Sequence, residues 1–146
     1  MKETKTDIGD DKKAELQQKL VIYQLMQKRL EELQQQAMII EKKYAELEIT
    51  KNTISDLEKS KAGNELFFPL GSGVYAKGSV HEDKTVMVEL GAGLVSVKDT
   101  KSARDFLDKT KQDIEESGKN MENEIRTTAE KINAIAHELQ AAAGQT

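Results

Sequence analysis

ELFFPLGSGVYAKGSVHEDKTVMVELGAGLVSVK, residues 65–98, is the stretch on which the fold of this 146-residue chain depends. It holds the only proline, most of the glycines and the densest cluster of aromatic and β-branched residues, which favour strands. Four strands are predicted, at residues 66–70, 73–80, 84–90 and 94–98. Because Gly-Ser-Gly and Gly-Ala-Gly triplets separate them with turn-forming residues, the stretch is predicted to form two β-hairpins.

A long helix is predicted on the N-terminal side of the hairpins. Residues 11–62 contain no proline or glycine, and Gly63 is placed to end the helix in a left-handed conformation. Asp10 or Asp11 could cap its start, which leaves residues 1–10 as a flexible N-terminal tail. Apolar residues recur at alternating steps of three and four, the spacing of a coiled-coil seam. Counting from Tyr23 as position a, every d position is apolar: Met26, Leu33, Ile40, Leu47 and Ile54.

A second helix is predicted at residues 99–143, capped by Asp99, Thr100 or Ser102. The residues at alternating spacings of three and four from Leu107 to Leu139 are mostly apolar. Lys111, Gly118 and Thr128 interrupt this pattern. A core helix of a globule is the alternative for so long a stripe, but no third long helix exists to complete such a globule. The predicted fold class is α+β, a single domain in which two β-hairpins (65–98) join a long antiparallel two-helix coiled coil.

The composition narrows the possible functions. The net charge of −4 and pI of about 5.3 disfavour a nucleic-acid partner bound through its phosphates. No cysteine is present, and no apolar run approaches the 18 or so residues of a membrane span. The N-terminus has no apolar stretch of the signal-peptide kind, so a cytoplasmic protein is expected.

The sequence has no residue spacing typical of a catalytic, metal-binding or dinucleotide-binding site. His81 and His137 have no ligand or triad partner at a diagnostic spacing, and strands rather than helices follow the two G-x-G turns. We therefore predict no enzyme activity, no cofactor and no metal site.

The hairpins are predicted to be an assembly module. Short two-stranded sheets are marginally stable alone, and their open edges invite further pairing. We therefore expect the hairpins to join those of other subunits through their apolar residues. The predicted interface residues are Leu66, Phe67, Phe68, Val74, Tyr75, Val80, Val86, Val88, Leu94, Val95 and Val97.

The sequence resembles the α-type subunits of the prefoldin family. The resemblance covers about residues 12–141 and lies in ELFFPLGSGVYAKGSV (65–80) and TVMVELGAGLVSVKDTKSARDFLDK (85–109). These segments are similar to the family's first hairpin, its second hairpin with the V-x-V-x-x-G-x-G pattern, and the start of its second helix. Phe67 and Phe68 depart from the pattern, because the family more usually has aliphatic residues there.

The resemblance implies a heterohexamer of two α-type and four β-type subunits whose hairpins assemble into β-barrels. It implies an ATP-independent chaperone that holds non-native client proteins at its coiled-coil tips and transfers them to a group II chaperonin. The helix ends carry more apolar side chains than one seam can bury, and these side chains are the expected client-binding residues. They are Leu16, Leu20, Val21, Ile22, Leu25, Met26, Ile132, Ile135 and Leu139.

Two alternatives stay open at this point. Residues on the strict seam, such as Met26, Ile132 and Leu139, could serve only to pack the helices together, whereas Val21 and Ile22 lie off the seam. The whole chain could instead be a coiled-coil scaffold without chaperone activity that oligomerises through its β insert.

Overall fold

The computed structural model describes residues 4–144, with side chains from residue 9 onward. The chain forms one long helix, four strands and a second long helix. Their bounds are α1 (Thr4–Lys59), β1 (Glu65–Gly71), β2 (Val74–Ser79), β3 (Thr85–Gly91), β4 (Leu94–Asp99) and α2 (Thr100–Ala143). This order confirms the predicted α+β class of two long helices joined by two hairpins.

The chain divides into two compact units, each of which contains a segment of both helices. The first unit combines α1 up to Glu41 with α2 from Glu116 onward, and the second unit is residues 42–115. In the first unit Arg29 pairs with Glu124 (Nη2 to Oε1, 2.7 Å) and Lys19 with Glu138 (Nζ to Oε2, 3.0 Å). Because the later α1 residue meets the earlier α2 residue, the helix segments in this unit are antiparallel.

The predicted apolar seam holds the helices together in the first unit. Leu33 is completely buried, and Ile132 is buried on the opposite helix. The remaining seam residues are half-buried, on α1 Tyr23, Met26, Leu30, Ala37 and Ile40, and on α2 Gly118, Met121, Ile125, Thr128, Ile135 and Leu139. A pair of helices has no third partner to cover its flanks, so most seam side chains keep some contact with water.

In the second unit the seam combines apolar and charged side chains. Leu47, Ile54 and Ala103 are buried. Lys111, which interrupts the predicted stripe, places its ammonium 2.7 Å from Glu48 Oε1 and 5.3 Å from the centre of the Tyr44 ring. The Glu48 carboxylate, followed by Tyr44, raises the pKa of Lys111 above the usual lysine value. The ammonium therefore stays charged, and its partners complete the seam at this position.

Among residues 4–144 the four strands form two separate antiparallel hairpins, β1–β2 and β3–β4. Phe67 lies opposite Lys77 in the first hairpin, and Met87 lies opposite Val97 in the second. The register of the first hairpin shifts between Pro69 and Gly71. The second hairpin has the same shift between Glu89 and Gly91, so the irregularity predicted at Pro69 belongs to the turn that both hairpins share and not to the proline.

Both hairpin turns have the mirror-image geometry that suits twisted strands. The central residues have positive φ, 50° at Ser72 and 78° at Gly73, and 50° at Ala92 and 76° at Gly93. Positive φ at both central positions is what the favoured two-residue hairpin turn requires. Glycine supplies the second position in each turn without steric cost.

The end of α1 is tied to the hairpins within the second unit. Gly63 has a φ of 85°, as predicted, and its amide donates to the Val80 carbonyl at 2.8 Å. The ammonium of Lys84 donates to the carbonyl oxygens of Glu58 (2.6 Å) and Ser60. A cation suits this position because the last carbonyls of a helix lack partners and carry partial negative charge.

The helix bounds differ from the predicted ones. The structure begins α1 at Thr4, so Asp10 and Asp11 lie inside the helix and do not cap it. A helix that has nucleated extends through polar residues at small cost, and Gly9 alone does not stop it. Its other end, Lys59, precedes the predicted end at residue 62 by three residues. Residues 1–3 lie outside the described part, and the flexibility of the tail stays a prediction.

Asp99 is the cap of α2. Its Oδ1 accepts a hydrogen bond of 2.7 Å from the Ser102 amide, three residues into the turn. This bond, followed by the Ser102 hydroxyl, lowers the pKa of Asp99 below the usual aspartate value. The charged form is therefore favoured by folding.

We predict that Asp99→Ala lowers the thermal unfolding midpoint by about 2–5 °C at neutral pH, because the first turn of α2 loses its acceptor. Asp99→Asn keeps an acceptor oxygen and serves as the matched control. Since folding lowers the pKa of Asp99, its stabilising effect is full above the usual value and is lost as the pH falls through the folded value. Other paired carboxylates titrate in both proteins, so midpoints measured by circular dichroism at neutral and acid pH should fall further in the wild type than in Asp99→Asn. A wild-type midpoint for Asp99→Ala would contradict the assignment.

Candidate interaction surfaces

The hairpins carry a largely exposed apolar surface. Met87 is 72% exposed, and Val97, which lies opposite it in the ladder, is 68% exposed. Eight more large apolar side chains of the four strands are also exposed, namely Phe67, Phe68, Leu70, Val74, Tyr75, Leu90, Leu94 and Val95. We call these ten residues the hairpin surface. So many exposed apolar residues on two short sheets are unusual for a surface that faces water.

The predicted interface residues fall into two groups. Phe67, Phe68, Val74, Tyr75, Leu94, Val95 and Val97 belong to the hairpin surface, whereas Leu66, Val86 and Val88 are half-buried and Val80 is buried. Phe68 turns its ring over Gly78, where an added Cβ would lie 2.6 Å from the ring atom Cε2. Glycine is therefore needed at residue 78 for this aromatic contact within the hairpin.

Three members of the hairpin surface were not predicted: Leu70, Met87 and Leu90. The exposure of Met87 could have been predicted from the sequence. Successive strand residues point to opposite faces, so Met87 lies on the face opposite to that of Val86 and Val88. Leu70 and Leu90 immediately precede the turn triplets, where the register shifts and alternation no longer indicates the face.

A cleft lies between the hairpins and the end of α1 in the second unit. Its volume is about 540 Å³. Leu57, Phe68, Val80 and Val86 supply apolar walls, and the connection between the hairpins supplies the polar rim of His81, Asp83 and Lys84. The cleft adjoins the hairpin surface through Phe68.

A second apolar surface lies in the first unit, on the terminal helix pair, by which we mean residues 14–26 of α1 and 132–143 of α2. Val21 is 54% exposed and Leu25 is 62% exposed. Leu20 and Ile22 are exposed as well. These four residues expose apolar surface that the seam between the helices does not cover.

The other predicted client-binding residues are closer to the seam. Leu16, Met26, Ile135 and Leu139 are half-buried, and Ile132 is buried. Leu16, Leu20 and Leu139 line one hollow of about 360 Å³ together with Gln17, Ala142 and Ala143. An open face of α1 carries a second group of residues, Ala14, Gln17, Gln18, Val21 and Ile22. The structure thus brings Leu16, Leu20 and Leu139 together and leaves Val21 and Ile22 on a different face.

An ion triplet spans the terminal helix pair. Lys19 lies 3.0 Å from Glu138 on α2 and 3.1 Å from Glu15, one turn earlier on α1. Hydrogen bonds to Glu138 and then Glu15 raise the pKa of Lys19. The lysine therefore keeps its charge and links the two helices beside the apolar hollow.

Further exposed apolar residues occur on α1 outside the predicted sites. Met38 and Ile39 lie in the first unit and Ile49 lies in the second. No group of three His, Asp or Glu side chains within residues 4–144 is arranged to hold a metal ion. In the same part of the chain no helix is long and apolar enough to span a membrane.

Comparison with known proteins identifies the family. The family model for prefoldin subunits matches residues 26–145. A prefoldin subunit alpha from Methanobrevibacter smithii is 31% identical over 104 residues, which are 71% of this chain and 70% of that protein. A prefoldin subunit alpha from Archaeoglobus fulgidus is 28% identical over 127 residues, 87% of this chain and 93% of that protein.

The fold matches as well. A chain of a filamentous PFD assembly from Methanocaldococcus jannaschii, solved by cryo-electron microscopy, superposes with a TM-score of 0.69 at 17% identity. The match covers 84% of this chain and 98% of that one. The paired helices, the two hairpins and the matches to alpha subunits agree with one another, and the chain belongs to the prefoldin family of chaperone subunits, as an α-type member.

Proposed function

We propose that this subunit holds unfolded proteins on the terminal helix pair, without ATP and without catalysis, and passes them to a group II chaperonin. The observation that carries the proposal is the apolar surface of Leu20, Val21, Ile22 and Leu25, which the helix seam leaves uncovered. Unfolded chains expose apolar side chains that folded proteins bury, so such a surface recognises them by a general property. A cytoplasmic location, predicted from the sequence, is part of the same proposal.

Client binding requires affinity that is modest and broadly distributed. Burying apolar surface contributes about 25 cal/mol per Å², so a few half-exposed side chains give weak contact at any one subunit. Several subunits that hold the same client multiply this contact through effective concentration. A holding chaperone of this kind therefore depends on assembly as much as on its client surface.

We propose that the hairpin surface provides that assembly, in a hexamer of two α-type and four β-type subunits whose hairpins close into β-barrels. Two-stranded sheets leave edge groups without ladder partners, and strands of a neighbouring subunit would satisfy them. The ten exposed apolar residues would be buried at the same time. Because each is already partly covered, each would gain roughly half of the about 1.5–3 kcal/mol that burial of a fully exposed side chain gives. Closure into a barrel removes edges altogether.

Val80 is the one predicted interface residue that is buried within the subunit. Its amide and carbonyl are paired with Asn64 and Gly63 of the same chain, and its side chain is buried. Val80 therefore supports the hairpins from within the subunit, whereas Met87 and Val97 are free to contact another subunit.

To test the client surface, we predict the effect of Val21→Gln with Ile22→Gln. The double variant should need about three- to tenfold more protein to suppress aggregation of a chemically unfolded reporter such as reduced lysozyme, because two apolar contacts per subunit are lost. Light scattering of the diluted reporter, without nucleotide, measures the suppression.

The matched control is Met38→Gln with Ile39→Gln. These residues are 63% and 56% exposed on the same helix and in the same unit, outside the terminal helix pair. The control should suppress aggregation like the wild type. Equal suppression by both double variants, with assembly intact, would refute the terminal client surface. Absence of suppression by the wild type itself would favour a scaffold without holding activity.

To test the assembly surface, we predict the effect of Met87→Glu with Val97→Lys. The two residues are cross-strand partners, so opposite charges keep the hairpin stable while removing apolar surface. Association with a β-type prefoldin subunit should weaken by at least about tenfold, because charges would be buried at the interface. Glu89→Lys, which changes the charge at an exposed polar position of the same strand opposite Val95, is the control. A complex of unchanged mass across a dilution series would rule out this surface.

A further inference from the structure

Three polar contacts join α1 to α2 within the second unit. In each contact a donor group of one helix meets a carboxylate of the other, and we call the three contacts the polar ladder. They are the Tyr44 hydroxyl with Glu115 Oε1 (3.3 Å), the Lys111 ammonium with Glu48 Oε1 (2.7 Å) and the Lys51 ammonium with Asp108 Oδ1.

All three contacts of the polar ladder belong to one antiparallel register. Along α1 they follow one another by four and then three residues from Tyr44. Along α2 they precede one another by the same four and three residues from Glu115. A displacement of one helix along the other therefore breaks the three contacts together.

The apolar part of the seam does not select this register by itself. Its apolar members are Leu47 and Ile54 on α1 and Leu107 and Ile114 on α2, and seam positions recur every three or four residues on both helices. Burial of apolar surface has no preferred direction. A displacement by about one helical turn thus still places seam positions against seam positions.

Like charges oppose a displacement by three residues. In one direction Lys111 would face Lys51, and in the other direction Glu48 would face Asp108. Repulsion in the alternative arrangements adds to the attraction in the observed one, which is how charged residues make a pairing specific.

Like charges oppose a displacement by four residues as well. In one direction Glu48 would face Glu115, and in the other direction Lys51 would face Arg104. The Glu48 oxygen that faces the Lys111 ammonium is shielded from water, so the loss of that ammonium leaves a carboxylate poorly solvated. Neighbouring registers are therefore unfavourable in both directions.

We propose that the polar ladder is a register lock that holds α2 at one position along α1 in the second unit. Arg104 contacts Glu58 near the end of α1 (Nη2 to Oε1, 3.1 Å), and α2 begins directly after β4. The position of α2 along α1 therefore sets where the second hairpin lies relative to the end of α1. The lock acts within one chain and does not depend on client binding or on assembly.

The register can be measured with a pair of spin labels. The chain has no cysteine, so Lys43→Cys with Lys101→Cys, two exposed positions of the second unit, can carry one nitroxide each. The labels then lie roughly 20 Å apart along the helix axis, and double electron–electron resonance measures their distance. Dilution of the labelled full-length chain with the same unlabelled variant ensures that the distance arises within one chain. The unaltered ladder should give a single distance.

In this labelled chain Lys111→Glu should produce a second distance that is longer by about 4–5 Å. The new carboxylate repels Glu48 and gains Lys51 as its partner when α2 moves by three residues. Lys111→Glu with Glu48→Lys restores opposite charges and should return the single distance of the unaltered ladder. Lys109→Glu makes the same charge change at an exposed position of α2 and is the matched control, which should leave the distance unchanged.

An unchanged single distance in Lys111→Glu overturns the register lock, and so does an equal shift in Lys109→Glu. A charge-swapped double variant that keeps the longer distance overturns it too. If circular dichroism shows that Lys111→Glu alone does not fold, the double variant decides. Recovery of both the helicity and the original distance supports the lock, and failure to recover either one overturns it.

Discussion

A pair of helices can bury only one stripe of side chains on each partner, and the rest of this structure depends on that limit. The buried large side chains of these stripes form the core between the helices, and they are Leu33, Leu47, Ile54 and Ile132. Any apolar residue beyond the stripe stays in contact with water. Leu25 and its exposed neighbours are therefore a consequence of having more apolar residues than one seam can cover, and that excess is what makes a holding surface possible.

The same limit applies to the hairpins. Two strands cannot enclose a core, so Met87 and Val97 face outward as an opposed pair. Within the chain the hairpins contact the end of α1 and the start of α2. Lys84 and Gly63 fix that end to the hairpins through backbone carbonyls. The subunit thus keeps its hairpins positioned and its apolar residues available, two properties that an assembly surface needs together.

Most of the fold could be predicted from the sequence because its signals are local. The three-four spacing located the seam, and the glycine triplets located both turns. The start of α1 could not be predicted, because Asp10 and Asp11 are good caps but nothing before them forbids a helix. The exposure of Leu70, and the burial of Val80 among residues predicted to face a partner, depend on register and on contact with the end of α1, which no local pattern encodes.

The proposed role of the hairpins is to bind β-type partners in an assembly. The most direct measurement is the mass in solution, by light scattering, of the chain alone and after mixing with a β-type prefoldin subunit. We expect a shift on mixing to one discrete species with the mass of two copies of this chain and four of the partner. A stable small oligomer of this chain whose mass does not change when the β-type subunit is added would contradict it.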